Sequence, residues 1–528
     1  MLLRNKKAPH SFILFIPSAG RIMCRNRLHQ IILYSLAFLL PVLMTGCAGR
    51  LQGYTPVKKY APEKLQEDYD LLRNMLEKFH PSLYWYTSKD SMDFYFAAYR
   101  SALTDSMTEQ QFGFSILAPL TTNIRCGHTS FSFSKSYTRF FKGVQLPSFP
   151  LFLKVWGDTM IVTNNLNRRD SVIKRGTQIT AVNGIGSRQL TSTMFRFMPT
   201  DGYSENINYI RLSNAFPYYH RNIFGLSKNY TVKYIDSLAQ EKQVQIPFFN
   251  PQADTSRRAY KPKKKSQANK KTRLMEFRSL EIDSAKNTAV MNLLSFDNGY
   301  GLKKFYRRSF KKIQKQEVQN LVVDIRSNGG GKVDNYTELA RYLKKTSFKV
   351  ADTAVSIRKS FGSYRSYFKN SFFNWMGMQL FTSKQADQRY HFRYWEKHDF
   401  KPFKKNHFDG NVYVLIGGPT FSASSLFCNT VKEQENVTLV GEETGGGEHG
   451  NSGLMIPYVT LPNTGIRVRV PLFRVVQYNH APKTGRGVIP DVYVPPSAHA
   501  VRKGLDLKME KVKDLIMLST SKAKVSGL

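Results

Sequence analysis

The feature that most restricts the fold is an apolar run that ends in a polar turn and three glycines: Leu321-Val322-Val323-Asp324-Ile325-Arg326-Ser327-Asn328-Gly329-Gly330-Gly331. A short run without polar alternation is the pattern of a strand buried on both faces, as in a parallel sheet covered by helices. Its surroundings carry the matching rhythm. Thr288 to Leu294, Val412 to Ile416 and Val437 to Val440 read as strands, whereas Lys303 to Gln319, Tyr336 to Leu343 and Ala423 to Lys432 read as helices. Strands alternating with helices predict parallel β-α-β crossover units. Residues 346–409 form an aromatic and basic insertion, and a loop that long in a compact domain is expected to be functional or to order as a lid.

Upstream, the period changes. Leu65, Tyr69, Leu72, Met75 and Leu76 fall at helical spacing, and helical patterning runs from Pro62 to about Thr122. Gly143 to Phe249 then breaks into short strand-like runs. Within them, Gly176-Thr177-Gln178-Ile179-Thr180-Ala181-Val182-Asn183-Gly184 resembles the strand and Asn-Gly turn of a PDZ domain, a pattern a generic hairpin shares. The expected architecture is α/β and multidomain. It comprises a helical N-terminal domain (48–142), a PDZ-like β-rich module (143–249), a basic linker (250–273), an α/β core (274–500) and a basic C-terminal tail (501–528).

The first 47 residues read as an address. Arg25 and Arg27 precede the apolar stretch Ile31 to Met44, and Thr45-Gly46-Cys47 follows. Charge, a short apolar region and small residues before a cysteine resemble a bacterial lipoprotein signal peptide, with Cys47 as the acylated residue. The stretch is short for a spanning helix, which needs about 20 residues, although an N-terminal membrane anchor is the alternative. Met23 would open a well-proportioned signal, so translation from Met1 or from Met23 fits. The reading places the protein in a bacterial cell envelope, lipid-anchored and facing the periplasm or the cell surface.

Formal charge is +40, from 78 Lys plus Arg against 38 Asp plus Glu. Such an excess suits nucleic acid, an anionic membrane or acidic ligands. No zinc-finger spacing, recognition-helix pattern or RNA-binding aromatic signature accompanies it, so nucleic acid is not expected. The basic run Lys261 to Arg273 lacks interleaved aromatics and reads as a solvated linker. Four cysteines occur (Cys24, Cys47, Cys126, Cys428); cleavage and lipidation leave the last two, which read as buried small hydrophobes or, as a lesser alternative, a bonded pair. No metal or cofactor is implied, because clustered Cys/His ligand spacing is missing.

Three distant segments carry candidate chemistry. The glycine turn offers backbone N–H groups for an oxyanion or a phosphate, but Lys332 is followed by Val333 rather than Ser or Thr, against a phosphate loop. Gly418-Pro419-Thr420-Phe421-Ser422-Ala423 follows a strand and opens a helix, where the local field favours an anion. Taken alone, Ser422 reads as an ordinary N-cap. Arg125-Cys126-Gly127-His128-Thr129 supplies a histidine that serves as a base only if folding brings it to a nucleophile.

Together these segments resemble the C-terminal processing peptidase and tricorn-core family of serine proteases. Asp324-Ile325-Arg326 with Asn328 and the glycines is similar to its Asp-x-Arg-x-Asn-x-Gly-Gly motif. Thr420-Phe421-Ser422-Ala423, Gly441-Glu442-Glu443-Thr444-Gly445 and Gly487-Val488-Ile489-Pro490-Asp491 follow in family order. Cys126-Gly127-His128-Thr129 matches the Asp-Gly-His-Thr element of the tricorn-like, His-dependent branch except at its first residue. The resemblance implies Ser422 as nucleophile, His128 as general base, and an oxyanion hole from the N–H of Ala423 and one of Gly330 or Gly331. It implies hydrolysis of peptides or unfolded proteins through an acyl-enzyme, with no cofactor. The Lys of the processing branch is missing from Gly445-Gly446-Gly447-Glu448-His449, and no carboxylate stands near Thr484, where the tricorn-like acid would lie. The acid is left open, with Glu443 and Glu442 as candidates. A weakened family member that binds a peptide or apolar ligand is the alternative reading; a polyanion-binding surface protein is the third.

Overall fold

The computed structural model describes residues 53–253, 270–480 and 482–526. The signal segment with Cys47 and most of the basic linker lie outside the described residues. Pro56–Leu528 form one compact unit.

Two helices open the described chain, α1 (Pro62–Phe79) and α2 (Lys89–Ser101). The predicted apolar stripe of α1 is its buried face: Leu65, Tyr69, Leu72, Met75 and Leu76 are all fully inaccessible. Residues 151–247 form an antiparallel sheet. Its strands are β1 (Leu151–Trp156), β2 (Thr159–Asn165), β3 (Gln178–Val182), β4 (Asn229–Ile235) and β5 (Glu241–Pro247), in that spatial order. Asn183 (φ 49°) and Gly184 (φ 79°) make the tight turn after β3, so the Asn-Gly pair does what its tolerance of positive φ predicts. Two helices, α3 (Ser187–Phe195) and α4 (Asn206–Phe224), interrupt this sheet in sequence. The loop between them holds Asp201.

The central sheet has six strands: β6 (Arg278–Asp283), β7 (Thr288–Leu293), β8 (Asn320–Asp324), β10 (Asn411–Ile416), β11 (Val437–Gly441) and β14 (Val492–Tyr493). The first pair is antiparallel and the remaining pairs are parallel. Helices α5 (Leu302–Lys315), α6 (Val333–Ala340) and α8 (Ala423–Lys432) provide the crossovers. Alternate residues serve opposite faces. Leu321, Val323, Val412, Val414 and Ile416 join the core under the crossover helices, whereas Val322, Tyr413 and Leu415 face the other way. That second face is covered by α9 (Leu507–Ser526), through Val512 with Met509, Leu515 and Ile516. The C-terminal segment read as a basic tail is thus a helix with a structural task; full burial of Val512 contributes roughly 1.5–3 kcal/mol.

Residues 346–409 differ from the expected lid loop. Within them, β9 (Ala351–Ser356) pairs antiparallel with β13 (Arg474–Gln477), and α7 (Ser371–Phe381) follows. Another long-range pairing matters for the site: β12 (Arg467–Arg469) hydrogen-bonds to Phe131–Ser132, just after His128. It ties the histidine loop to the C-terminal half of the chain.

Candidate active site

The parallel strands β8 and β10 lie side by side, with Asp324 opposite Leu415. Their carboxyl ends therefore deliver the glycine turn and the Ser422 turn to one edge of the sheet, the usual place for a site in open α/β sheets. Buried Asn328 fixes the first turn. Its Nδ2 donates to the Leu293 carbonyl (3.1 Å), and its Oδ1 accepts the Gly330 N–H (2.9 Å). Arg326 grips Asp324 through Nε (3.0 Å) and Nη2 (2.6 Å) and reaches Asp506 with Nη1 (2.5 Å). Those motif residues are structural clamps. Thr420 Oγ1 donates to the Ile325 carbonyl (3.0 Å), and the Phe421 N–H donates to the Asn328 carbonyl (3.2 Å), so the two turns are bonded to each other.

Ser422 occupies φ 56°, ψ −122°, a backbone state costly for a residue with a Cβ. It immediately precedes α8, yet its side chain makes no capping hydrogen bond. The N-cap explanation of this serine therefore fails in its main requirement. The strained strand-to-helix turn lifts the hydroxyl out of the helix and leaves it partly exposed. Gly330 (φ 97°) lies tightly against it: a Cβ there would stand 2.8 Å from Ser422 Cβ and 2.9 Å from the Ala423 nitrogen. Only glycine allows that approach. Ala423, first residue of the helix, has an N–H without an intrahelical acceptor. Of the two glycines, Gly330 spends its N–H on Asn328, which narrows the predicted donor pair to Ala423 and Gly331.

His128 comes to this edge from the other side. It is 4% exposed, and its ring packs on that of Phe421 with centroids 4.8 Å apart. A Cβ added to Gly453 would lie 3.1 Å from Ser422 Oγ and 3.3 Å from His128 Nε2, so both groups face the same narrow gap beside Gly453. Neither ring nitrogen of His128 has a hydrogen-bond partner. Behind it, His80 Nε2 contacts Thr129 Oγ1 at 2.6 Å and burial holds that imidazole down to about 3, hence neutral.

The acid beside His128 is Asp201, which the sequence reading missed. Its Oδ1 lies 3.5 Å from His128 Nδ1 and accepts the Gly127 N–H at 2.8 Å. Asp201 is 3% exposed and its Oδ2 has no partner. Its loop is held by backbone bonds from Gly202 N–H to the Arg125 carbonyl (2.9 Å) and from Tyr203 N–H to the Gly485 carbonyl (2.7 Å). Glu442 and Glu443, the candidates for this position, are engaged elsewhere. Glu442 pairs with Lys508 (2.7 Å), and Glu443 with Arg486 (2.7 Å) and the Gly487 N–H (2.8 Å). No motif marks Asp201; the only signal was that Cys126 stands where the family pattern has an aspartate.

Cys126 and Cys428 are both buried and unbonded. Burial, with Asp201's charge as the next cause, pushes the Cys126 thiol up to about 11, so it is protonated at neutral pH. Donor atoms of Cys126, His128 and Asp201 lie within 4.8 Å of one another, a set of the type zinc accepts. A metal there would occupy the imidazole that an acyl-transfer reaction needs as its base.

Mature CPAF complexed with lactacystin is similar in structure (TM-score 0.60, 14% identity, 87% of this chain and 98% of that chain). Mature CPAF is similar as well (TM-score 0.60, 12% identity, 88% and 99%). At such identities the likeness concerns the fold. No curated protein matches the chain. Residues 287–494 match the model of Peptidase family S41 and include both the glycine turn and Ser422, but not His128 or Asp201. Over that segment the chain is similar to peptidase family S41, a family of serine-type peptidases.

Proposed function

We propose that the protein is an exported, lipid-anchored serine endopeptidase of the His-dependent kind, acting on peptides or unfolded proteins. The observation that carries the reading is the uncapped, strained Ser422 facing His128 across Gly453. Ser422 Oγ attacks the scissile carbonyl carbon while His128 Nε2 takes its proton. The C–N bond then breaks as the proton passes to the leaving amine. Water, deprotonated by the same imidazole, hydrolyses the acyl-enzyme. Asp201 orients the ring at Nδ1 and stabilises the imidazolium that forms. The N–H groups of Ala423 and Gly331 stabilise the oxyanion, where one such donor is worth about 10²–10³ in turnover.

The antiparallel sheet of residues 151–247 is the element suited to hold a peptide by strand addition. Support for the lipid anchor comes from Ile31 to Cys47 in the sequence. Among the described residues no helix is long and apolar enough to cross a membrane.

A second reading, a peptide- or apolar-ligand-binding protein on this fold, draws on the unbonded nitrogens of His128. Digestion of a mixed peptide library by the mature chain and by Ser422→Ala, read by mass spectrometry, separates the two. Cleavage by the parent alone is expected. Saturable peptide binding with identical, uncleaved mixtures from both proteins would favour the binding protein.

A further inference from the structure

Behind the histidine loop lies a cavity of about 660 Å³ that the acyl-transfer chemistry does not use. Its size is that of a small-ligand site. Phe114, Phe131, Phe133 and Phe197 supply an aromatic wall. The first three brace one another, Phe114 on Phe131 edge-on at 5.6 Å and Phe131 on Phe133 edge-on at 5.4 Å. Gly127 and Ser130, on either side of His128 in sequence, also line it.

Its polar groups have one sign. Arg211 (from α4), Arg469 (from β12) and Lys142 border the cavity, and no Asp or Glu does. Both guanidinium groups are held by neutral partners. Arg211 Nη1 donates to the Pro199 carbonyl (2.5 Å) and to Asn208 Oδ1 (2.9 Å). Arg469 donates through Nε (3.2 Å) and Nη2 (2.9 Å) to Ser130 Oγ. Among the described residues neither makes an ion pair. Burial pulls Arg211 below the ordinary guanidinium range; the Tyr219 hydroxyl opposes that shift and the charge of Arg469 adds to it. Two like charges sharing a poorly solvated wall are unfavourable until an anion joins them. Several N–H donors of each fork remain for such an anion, and the geometry of guanidinium suits a carboxylate. Arg211 also borders a second cavity, of about 580 Å³, together with Phe421 and Gly329, so its charge reaches toward the Ser422 turn.

We infer that this cavity is a binding site for a carboxylate carried beside an aromatic side chain of a peptide. That the ligand is a peptide rests on the peptidase reading above; the match of a carboxylate and an aromatic ring to the cavity does not. The carboxylate can come from a chain end or from an acidic side chain, and the two are separable.

The test measures binding to full-length mature Ser422→Ala protein, so that turnover plays no part. The probes are N-acetyl-Gly-Gly-Phe as free acid, the same peptide as its amide, and N-acetyl-Asp-Phe-Gly amide. The free acid, the Asp peptide, or both are expected to bind at least about tenfold more tightly than the plain amide, the range of hydrogen bonds to charged groups. Binding of the free acid alone assigns the site to chain ends; comparable binding of the Asp peptide assigns it to acidic side chains as well. Adding Arg211→Gln or Arg469→Gln, which keeps donors for Pro199 and Ser130, is expected to shrink the acid-over-amide preference to below about threefold. Equal affinity for acids and amide in the protein with both arginines overturns the inference, and so does binding of none of them. A preference that survives both substitutions overturns it too. If the preference is present but the parent protein cleaves no peptide, the site stands and the peptidase reading falls.

Discussion

The Ser422 turn and the His128 loop meet at one gap, yet they are built in opposite ways. The serine turn is assembled from adjacent parallel strands, bonded to the glycine turn by Thr420 and Phe421 and locked at a strained φ of 56°. Its geometry is finished before any ligand arrives. The histidine loop is assembled from far-apart segments: residues 125–129, the Asp201 loop 74 residues after Gly127, and β12 beyond. Its key distances are long, 3.5 Å from Asp201 and no hydrogen bond to Ser422. One half of the site is locked by local bonds, and the other is placed by long-range packing. Strain is stored where the covalent bond will form.

The sharpest way to break the comparison is to remove each half. Ser422→Ala and His128→Ala should each lower turnover by about six orders of magnitude, because members of such a unit fail together. Peptide hydrolysis rates would show it; a His128→Ala protein with near-parental turnover would dismiss the loop from the chemistry. Asp201→Asn keeps the shape and should cost about 10⁴ in turnover with little change in KM. An effect confined to stability would make Asp201 only a staple for Gly127. Gly453→Ala probes the gap itself. The added methyl meets Asn451 Oδ1 at 2.7 Å, Ser422 Oγ at 3.1 Å and His128 Nε2 at 3.3 Å, so turnover should fall by about tenfold or more, read from peptide hydrolysis rates. On the serine side, Asn328→Ala leaves the Gly330 N–H without its acceptor and should cost about 1–3 kcal/mol, read by denaturant unfolding.

The smallest effect concerns acid. Burial holds His80 at about 3 and His220 at about 4. Both lie below the ordinary imidazole value of about 6.5, so the unfolded chain takes up protons first as pH falls. The stability these neutral rings contribute is complete above about pH 6.5 and is lost toward pH 3–4. Thermal midpoints measured between pH 7.5 and 4 should fall, and His220→Phe, stacked on Phe149, should remove part of that fall.

How much of this was legible follows the same division. The strands Leu321–Val323 and Val412–Ile416, the crossover helices and the Ser422 turn declare themselves, because burial on both faces and glycine turns are local patterns. Asp201 does not, since its role depends on a docked loop whose bonds to Arg125 and Gly485 are backbone bonds that no side chain advertises. Glu442 and Glu443 looked eligible by position alone, but Lys508 and Arg486 claim them. The insertion 346–409 read as a loop because the partner of β9 lies at Arg474–Gln477, far along the chain. The helix α9 was hidden by lysines interspersed among the apolar residues it buries.

Covalent trapping tests the central claim most directly. The mature protein, His128→Ala and Asp201→Asn would each be treated with a fluorophosphonate and mapped by peptide mass spectrometry. The account predicts a single adduct on Ser422 in the parent, formed much more slowly in both variants. An adduct on another serine, or labelling of Ser422 at an equal rate in all three proteins, would contradict it.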